Sequence, residues 1–231
     1  MRRQPDKRRI VPKRSGAAER PPSAAARLLR RAEFLTTAAE WRQLPIDGAP
    51  EIAFAGRSNA GKSSAINALT QHAGMAFASK TPGRTQHINF FRLDSGALLA
   101  DLPGYGYAQV PAQVRRHWQH FLARYLAERD CLRGLVLIMD IRHPLTALDR
   151  QTFDWLLPGH FPIHVLLTKS DKLARAEQKA ALEQVRSALS ADYPATEVSV
   201  QLFSARERKG ISEAQEVIAS WLNGEAWIRD F

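Results

Sequence analysis

The sequence predicts an α/β fold in which a mainly parallel β-sheet carries helices on both of its faces. Short apolar runs alternate with amphipathic helical patterns from residue 51 onward, and this alternation requires crossover connections that bury both faces of a parallel sheet. Two of the runs are separated only by Asp94-Ser95-Gly96, which indicates a β-hairpin and one antiparallel pair. The first run passes directly into a glycine-rich loop. We therefore expect a six-stranded sheet with one antiparallel hairpin strand at its edge.

Each predicted element rests on its own local pattern. Helices are expected where apolar residues recur every three or four positions, and strands where short apolar runs are bounded by turn residues. The strands are expected at residues 51–55, 88–93, 97–100, 134–139, 163–167 and 198–203. A short helix is expected within residues 25–41, and further helices are expected at residues 63–69, 110–125, 148–157, 177–189 and from Ser212 onward.

Two of these helices have the clearest patterns. The last should begin at Ser212, because Gln215 follows three residues later as in a capping box. Its buried residues should be Val217, Ile218, Trp221 and Leu222. The buried face of the long central helix should hold Val110, Val114, Trp118, Phe121, Leu122 and Tyr125.

The basic charge of the chain lies almost entirely in its first residues. The 231 residues carry a formal net charge of +10, yet residues 1–31 contain eleven Lys or Arg against only Asp6 and Glu19. We expect residues 1–24 to form a disordered basic arm that binds nucleic acid through phosphate contacts, and residues 25–231 to form one domain. The alternatives for the arm are a solvated tail or a mitochondrial transit peptide, although its prolines would interrupt a transit-peptide helix.

The cysteine count and the length of the apolar runs bear on the compartment. The lone Cys131 excludes an intramolecular disulfide and fits a reducing environment. No apolar stretch approaches the roughly 20 residues of a membrane-spanning helix, and the run at residues 135–139 stops at Asp140. We therefore expect a cytoplasmic protein without a membrane partner, and a monomer.

The glycine-rich loop matches the phosphate-binding pattern G-x-x-x-x-G-K-[ST]. Its two glycines let the backbone curl so that successive N–H groups point at phosphate oxygens, beside the N-terminus of the following helix. Lys62 would set a cation against the β- and γ-phosphates, and the Ser63 hydroxyl would bind Mg²⁺. The nucleotide-binding residues expected here are Gly56, Arg57, Ser58, Asn59, Ala60, Gly61, Lys62 and Ser63.

A second motif, D-x-x-G, closes the predicted strand at residues 97–100. Asp101 would hold Mg²⁺ through water, and the Gly104 N–H would reach the γ-phosphate. The motif consists of Asp101, Leu102, Pro103 and Gly104. On its own this tetrapeptide is common, but its place after a phosphate loop indicates a nucleotide site.

Two further motifs indicate that the base is guanine. The Asp171 carboxylate can accept hydrogen bonds from N1–H and the exocyclic amine of guanine, a pair that adenine lacks, while the Lys169 stem can lie along the base. A backbone N–H near Ser204 can donate to guanine O6. The expected base-binding residues are Thr168, Lys169, Ser170 and Asp171, followed by Phe203, Ser204 and Ala205.

A further Mg²⁺ ligand is expected from the loop at residues 81–86. This segment, Thr81-Pro82-Gly83-Arg84-Thr85-Gln86, lies between the phosphate-loop helix and the hairpin, where a mobile loop can supply a hydroxyl. Thr81 and Thr85 both qualify on sequence alone. A Pro-Gly turn with incidental threonines is the alternative.

Taken together, the segments GRSNAGKSS, TPGRTQ, NFF, DLPGYGYA, TKSDK and FSA resemble the EngB (YihA/YsxC) family of bacterial GTPases, within the TrmE-Era-EngA-EngB-Septin-like P-loop class. The resemblance covers residues 30–225 and implies a Ras-like P-loop GTPase domain, GTP hydrolysis with Mg²⁺, assembly of the large ribosomal subunit, and a requirement in septation and cell division. It assigns the Mg²⁺ threonine to Thr85 and the switch phosphate loop to Gly83, Arg84, Thr85, Gln86 and His87. The arm and the charged loop at residues 206–210 lie outside what it implies.

The expected mechanism is that of a slow switch. Tyr105 occupies the position after D-x-x-G, where a glutamine orients water in Ras-type sites, so intrinsic hydrolysis should be slow. Lys62, Thr85 and Asn59 are the expected catalytic residues, with Asn59 helping to hold K⁺ between the β- and γ-phosphates; its alternative is a turn residue. The other candidate functions are a division regulator that contacts cytoskeletal proteins and a GTP-binding module without turnover.

Overall fold

The computed structural model describes residues 22–72, 74, 87–105, 112–156 and 161–224, with the backbone alone at 112–119 and at 156. Within these ranges the helices are α1 Ala24–Leu28, α2 Lys62–Thr70, α3 Ala112–Glu128, α4 Ala147–Leu156, α5 Arg175–Asp192 and α6 Ile211–Leu222. The strands are β1 Glu33–Ala38, β2 Glu51–Gly56, β3 Ile88–Arg92, β4 Leu98–Asp101, β5 Leu132–Asp140, β6 Ile163–Thr168 and β7 Val198–Leu202. Short 3₁₀ turns occupy Trp41–Gln43 and Ser170–Lys172. The predicted α/β class is confirmed.

The seven strands form one sheet in the order β1-β3-β4-β2-β5-β6-β7. The strands β4, β2, β5, β6 and β7 run parallel, whereas β3 is antiparallel to both of its neighbours. The expectation of six strands was therefore one short. The hairpin strand β3 is not at the edge, because β1 lies outside it.

A short helix was expected within residues 25–41 and α1 matches it, but the strand β1 later in that segment was not expected. Arg31 has a φ of 56°, so the chain turns there after α1. The following Phe, Thr and Thr side chains favour a pleated surface, and two of them make cross-strand contacts. Phe34 packs edge-on against Phe91 with ring centroids 5.9 Å apart, and Thr37 Oγ1 donates to Asn89 Oδ1 at 3.1 Å. Pairing with β3 thus overrides local helix propensity.

Alternate residues of the central strand β5 point into two separate hydrophobic layers. Leu135, Leu137 and Met139 pack with residues of α3, α4 and α5, whereas Val136 and Ile138 pack with residues of α2 and α6. This alternation places helices on both faces of the sheet, as predicted. None of the helices in the described ranges combines the length and apolar character needed to cross a membrane.

The start of α6 differs from the sequence prediction. The helix begins at Ile211, and its N-cap is Gly210 with a φ of 77°, so Ser212 is inside the helix and not its cap. The Gln215 amide instead donates to the Leu69 carbonyl at 2.6 Å and ties α6 to α2. Trp221 is buried as expected, but Leu222 is only partly buried.

Candidate functional site

The predicted motifs meet at one edge of the sheet. The parallel strands β2, β4 and β6 end at Gly56, Asp101 and Thr168, and β7 ends one residue before Phe203. Because the carboxyl ends of parallel strands share an edge, the loops that follow them gather there, and this is the edge at which α/β sheets bind ligands. The motifs that the sequence separates by more than 140 residues are therefore neighbours.

Two glycines of the phosphate loop are required for different reasons. A Cβ on Gly56 would lie 2.8 Å from the carbonyl oxygen of Ile138, so the close approach of β5 excludes any side chain there. Gly61 has a φ of 102°, a backbone conformation that L-residues rarely adopt. Asn59 is also left-handed, with a φ of 62°, and asparagine tolerates that region better than most residues. The loop then enters α2, whose N-terminus favours anions.

The side chains expected to meet phosphate and Mg²⁺ lie together. Lys62 Nζ forms an ion pair with the Asp101 carboxylate, and both side chains are largely buried. Ser63 is the next residue of α2 after Lys62. A hydroxyl and a carboxylate beside a phosphate loop form a hard oxygen donor set, which suits Mg²⁺ completed by phosphate oxygens and water. These residues would therefore fit the metal.

The D-x-x-G segment runs beside the phosphate loop. Leu102 N–H donates to Phe54 O at 3.0 Å, and Ser58 N–H donates to Tyr105 O at 3.0 Å. A Cβ on Gly104 would lie 3.4 Å from the Ser58 backbone, so the two loops are in van der Waals contact. The D-x-x-G backbone therefore packs directly on the phosphate loop.

The T-K-x-D motif is bound to the phosphate loop by its first two residues. The Thr168 hydroxyl lies within hydrogen-bond distance of two carbonyl oxygens, that of Ala60 and that of Met139 at 2.9 Å, and its single proton is shared between them. Lys169 Nζ donates to Asn59 O at 2.6 Å and pairs with Asp140 at 2.9 Å. The lysine therefore crosses from the base-binding loop to the phosphate loop, where its stem can cover one face of a base.

The proposed base-reading carboxylate is oriented by the last motif. Ser204 Oγ donates to Asp171 Oδ1 at 2.7 Å, and this hydrogen bond lowers the pKa of Asp171, with a smaller contribution from Lys172. Asp171 is therefore ionised and acceptor-only at neutral pH. The Ser204 N–H is bonded to Lys209 O at 3.0 Å, so the donor to guanine O6 would be the N–H of Ala205.

Comparison with known proteins identifies the family. A family model described as "50S ribosome-binding GTPase" matches residues 51–169. The "Probable GTP-binding protein EngB" of Aromatoleum aromaticum is 58% identical over 195 residues, which are 84% of this chain and 89% of that protein. Its counterpart from Neisseria meningitidis serogroup B is 53% identical over 196 residues, 85% of this chain and 93% of that protein. The chain belongs to the EngB family of GTP-binding proteins.

Solved structures share the fold of this EngB-family chain at low sequence identity. The crystal structure of a probable GTP-binding protein engB has a TM-score of 0.60 at 20% identity and covers 76% of this chain and all of that one. A single-residue variant of Aquifex aeolicus Era bound to GDP.AlF4⁻ has a TM-score of 0.59 at 17% identity and covers 78% of this chain and 58% of that one. Both support the P-loop GTPase fold.

Two acidic residues near the EngB-family site were not singled out from sequence. Asp140 ends β5, is buried, and binds the Arg142 guanidinium through both oxygens at 3.0 and 2.7 Å. Burial alone would raise the pKa of Asp140, but Arg142 and Lys169 together hold it well below its usual range. The abrupt end of an apolar run at an aspartate was the available signal. Asp149, in the first turn of α4, gave no signal.

The switch loop lies mostly outside the described residues. Thr81, Gly83, Arg84, Thr85 and Gln86 are not described, so the choice between Thr81 and Thr85 stays a prediction. His87 is described, and its buried Nδ1 has no hydrogen-bond partner in the part of the chain that the structure covers. The arm up to residue 21 is likewise outside the described ranges.

Proposed function

We propose that this EngB-family protein is a Mg²⁺-dependent, slow GTPase that acts as a switch in assembly of the large ribosomal subunit, with a linked requirement in cell division. The observation that carries the proposal is the convergence of Lys62, Asp101 and Asp171 on one sheet edge with their supporting contacts in place. The description of the matching family as 50S ribosome-binding supports the ribosomal partner.

The chemistry assigned to the chain is positioning and charge compensation. Phosphoryl transfer needs little covalent help from the protein, so catalysis depends on how the phosphates and water are held. Ser63, Asp101 and Thr85 would hold Mg²⁺, which would supply positive charge that neutralises the phosphates. Lys62 would bind the β- and γ-phosphates, and the Gly104 N–H would detect the γ-phosphate.

The position of Tyr105 supports the proposal of slow turnover. Its hydroxyl donates to Asp149 Oδ1 at 3.0 Å and its side chain is buried, so it is committed elsewhere and does not orient water. The assignment of Asn59 to a K⁺ site remains part of the proposal. The left-handed backbone of Asn59 accounts for a turn role, while its exposed side chain is compatible with an ion ligand.

Guanine selection is tested most directly at Asp171. Hydrogen bonds to a charged group contribute about 1.5–3 kcal/mol each, so Asp171→Ala should weaken GTP binding by about 100-fold or more. Asp171→Asn should instead favour xanthine nucleotides, whose O2 can accept from the new amide. Competition binding with GTP, ATP and XTP measures both effects, and the exposed Asp94→Asn is the matched control. Equal affinity of the wild-type protein for ATP and GTP would refute the assignment.

The ribosomal role is tested by co-sedimentation of the full chain with large-subunit precursors. We expect binding with a non-hydrolysable GTP analogue and little with GDP. Deletion of residues 1–21 retains Ser23, which caps α1 by accepting from Ala26 N–H at 3.1 Å. This truncation should leave hydrolysis unchanged and flatten the salt dependence of ribosome binding, since each phosphate contact contributes to that slope. Nucleotide-independent binding would contradict the switch, and an unchanged slope would exclude the arm from the interface.

A further inference from the structure

Asp149 is a fully buried carboxylate that joins three separate segments of the site. Its Oδ2 accepts from Thr146 N–H at 2.9 Å and from Thr146 Oγ1 at 2.8 Å. Its Oδ1 accepts from the Tyr105 hydroxyl at 3.0 Å and lies 3.4 Å from Arg57 Nε. We call these four residues, Arg57, Tyr105, Thr146 and Asp149, the Asp149 clasp.

Helix capping explains only half of this arrangement. Asp149 lies in the first turn of α4 and exchanges hydrogen bonds with Thr146, whose Oγ1 also accepts from Asp149 N–H at 3.3 Å. Such reciprocal capping stabilises a helix start and satisfies one carboxylate oxygen. The other oxygen is turned towards Arg57 of the phosphate loop and Tyr105 of the D-x-x-G segment, which α4 does not need for its own stability.

The main chain at Tyr105 is fixed as firmly as its side chain. Tyr105 N–H approaches Gly56 O at 3.4 Å, and Tyr105 O accepts from Ser58 N–H at 3.0 Å. On the other side of Gly104, Leu102 is bonded to β2 through Phe54 O. The Gly104 peptide, which would detect the γ-phosphate, therefore lies between two residues, Leu102 and Tyr105, whose backbones are hydrogen-bonded to β2 and the phosphate loop. Its orientation depends on both.

Arg57 is held by the same cluster. Its Nη2 donates to His143 O at 3.3 Å, and its Nε faces the Asp149 carboxylate. Its charge balances that of the buried carboxylate, which would otherwise be costly to bury. The Asp149 carboxylate thus connects the phosphate loop, the D-x-x-G segment and the start of α4.

We propose that Asp149 is a positioning residue for γ-phosphate recognition, which holds Tyr105 so that the Gly104 peptide is already placed for GTP. This inference rests on the proposed function as a GTP/GDP switch. A preordered peptide loses less conformational freedom on binding, and only GTP has a γ-phosphate to use it. The clasp therefore raises the affinity for GTP relative to GDP.

The test compares nucleotide affinities of Tyr105→Phe with those of the wild-type protein. The substitution keeps the aromatic ring and removes the hydroxyl that donates a hydrogen bond to Asp149. Affinity for a non-hydrolysable GTP analogue should fall at least about fivefold, the lower end of typical coupling between sites, while that for GDP stays within about twofold. Isothermal titration calorimetry with both nucleotides and Mg²⁺ measures the two values.

The chain offers a matched control in Tyr193→Phe. The Tyr193 hydroxyl also lies near an α4 carboxylate, 3.4 Å from Asp154 Oδ1, but not within the nucleotide site. This variant should leave both affinities unchanged. Asp149→Asn is the second test variant and should reproduce the selective loss for the GTP analogue, with thermal unfolding recorded to separate folding from binding.

Two results would overturn the clasp as a GTP sensor. One is a Tyr105→Phe variant whose two affinities both match the wild type, and the other is an equal loss for GDP and for the GTP analogue. Failure of the wild-type protein to bind ribosomal particles would refute the proposed function instead, and it would leave this affinity comparison intact.

Discussion

At each end of strand β2, a fully buried carboxylate lies next to a tyrosine and an arginine. At its start, the fully buried Glu51 binds the Tyr125 hydroxyl at 3.0 Å and the Arg129 guanidinium through both oxygens. At its end, the Asp149 clasp contains a tyrosine, an arginine and a carboxylate as well. The two clusters differ in how completely their members are bonded.

The arginine of the Glu51 cluster is hydrogen-bonded to its carboxylate, whereas the arginine of the Asp149 clasp is not. Arg129 also donates to Pro45 O at 2.6 Å, and its side chain is 12% exposed. The Arg57 side chain is 25% exposed, and its Nε lies 3.4 Å from Asp149 without a hydrogen bond. The tyrosine hydrogen bond is equally short in both clusters, at 3.0 Å, but only in the clasp does it hold a residue next to a loop of the nucleotide site. The same chemistry therefore serves stability at one end of β2 and recognition at the other.

The largest expected effect comes from breaking the Glu51 cluster. Arg129→Met leaves a buried carboxylate without its cation, which should lower the free energy of unfolding by about 3–5 kcal/mol. Urea denaturation measures this change. The control Arg150→Met removes one partner of a more exposed pair with Asp192 and should cost less than about 1 kcal/mol. Similar losses in the two variants would mean that the Glu51 cluster is not the structural anchor we describe.

The next largest expected effect on stability comes from the protonation of a histidine that belongs to neither cluster. His164 is buried between Ser199 and Gln201, and burial lowers the pKa of its imidazole to about 4, below the value of 6.5 expected when unfolded. The unfolded chain therefore binds the proton first, so stability is full above pH 6.5 and falls as the pH drops towards 4. The loss should reach about 3 kcal/mol.

Denaturation curves between pH 4 and pH 7 check this expectation. His164→Gln removes the titrating group and should flatten the curve over that window. The ratio of GTP-analogue to GDP affinity should depend on pH equally in the two proteins, because His164 lies two strands away from β2 and is level with its middle, not with either end. An unchanged pH dependence of stability in His164→Gln would assign it to other groups.

Tyr125→Phe sharpens the comparison with Tyr105→Phe. Each substitution removes a hydroxyl that donates at 3.0 Å to a fully buried carboxylate. Loss of a hydrogen bond to a charged group should cost Tyr125→Phe about 1.5–3 kcal/mol of stability, with no change in the ratio of nucleotide affinities. Thermal unfolding and calorimetry measure the two quantities. A shift in that ratio for Tyr125→Phe would remove the distinction between the clusters.

The smallest expected effect concerns monovalent ions. If Asn59 helps to hold K⁺ between the β- and γ-phosphates, GTP hydrolysis should be faster in K⁺ than in Na⁺ at equal ionic strength. The difference should disappear in Asn59→Ala, because the amide oxygen is lost. Phosphate release measured in both salts, with and without ribosomal particles, tests this. Identical rates would leave Asn59 as a residue chosen for its left-handed backbone.

Local patterns predicted the motifs and most of the elements. The phosphate loop, for example, needs only neighbouring residues, so Gly56 to Ser63 could be recognised in one pass. The β1 strand could not, because its pairing partner β3 begins 50 residues after it ends and outweighs a helical preference. The prediction that α6 begins at Ser212 was wrong, because Gly210 ends the preceding turn with a positive φ and is itself the N-cap.

Contacts within the site were harder to foresee than its members. The prediction that Asp171 reads guanine follows from its motif, but the hydrogen bond from Ser204 depends on how β6 and β7 pair. Asp149 belongs to no motif, and its role depends on Arg57 and Tyr105, which are 92 and 44 residues away along the chain. The spacing of these residues along the sequence does not indicate that they contact one another in the fold.

The hydrogen bond from Thr168 to Ala60 has a consequence for synthesis of the chain. It spans 108 residues, and the bond from Gln215 to Leu69 behind the same loop spans 146. The phosphate loop is translated early, but the groups that brace it emerge from the ribosome only with β6 and α6. Chains fold from the N-terminus during translation, so a nascent phosphate loop lacks its supports. We therefore expect the ability to bind nucleotide to appear only after β6 and α6 have been translated.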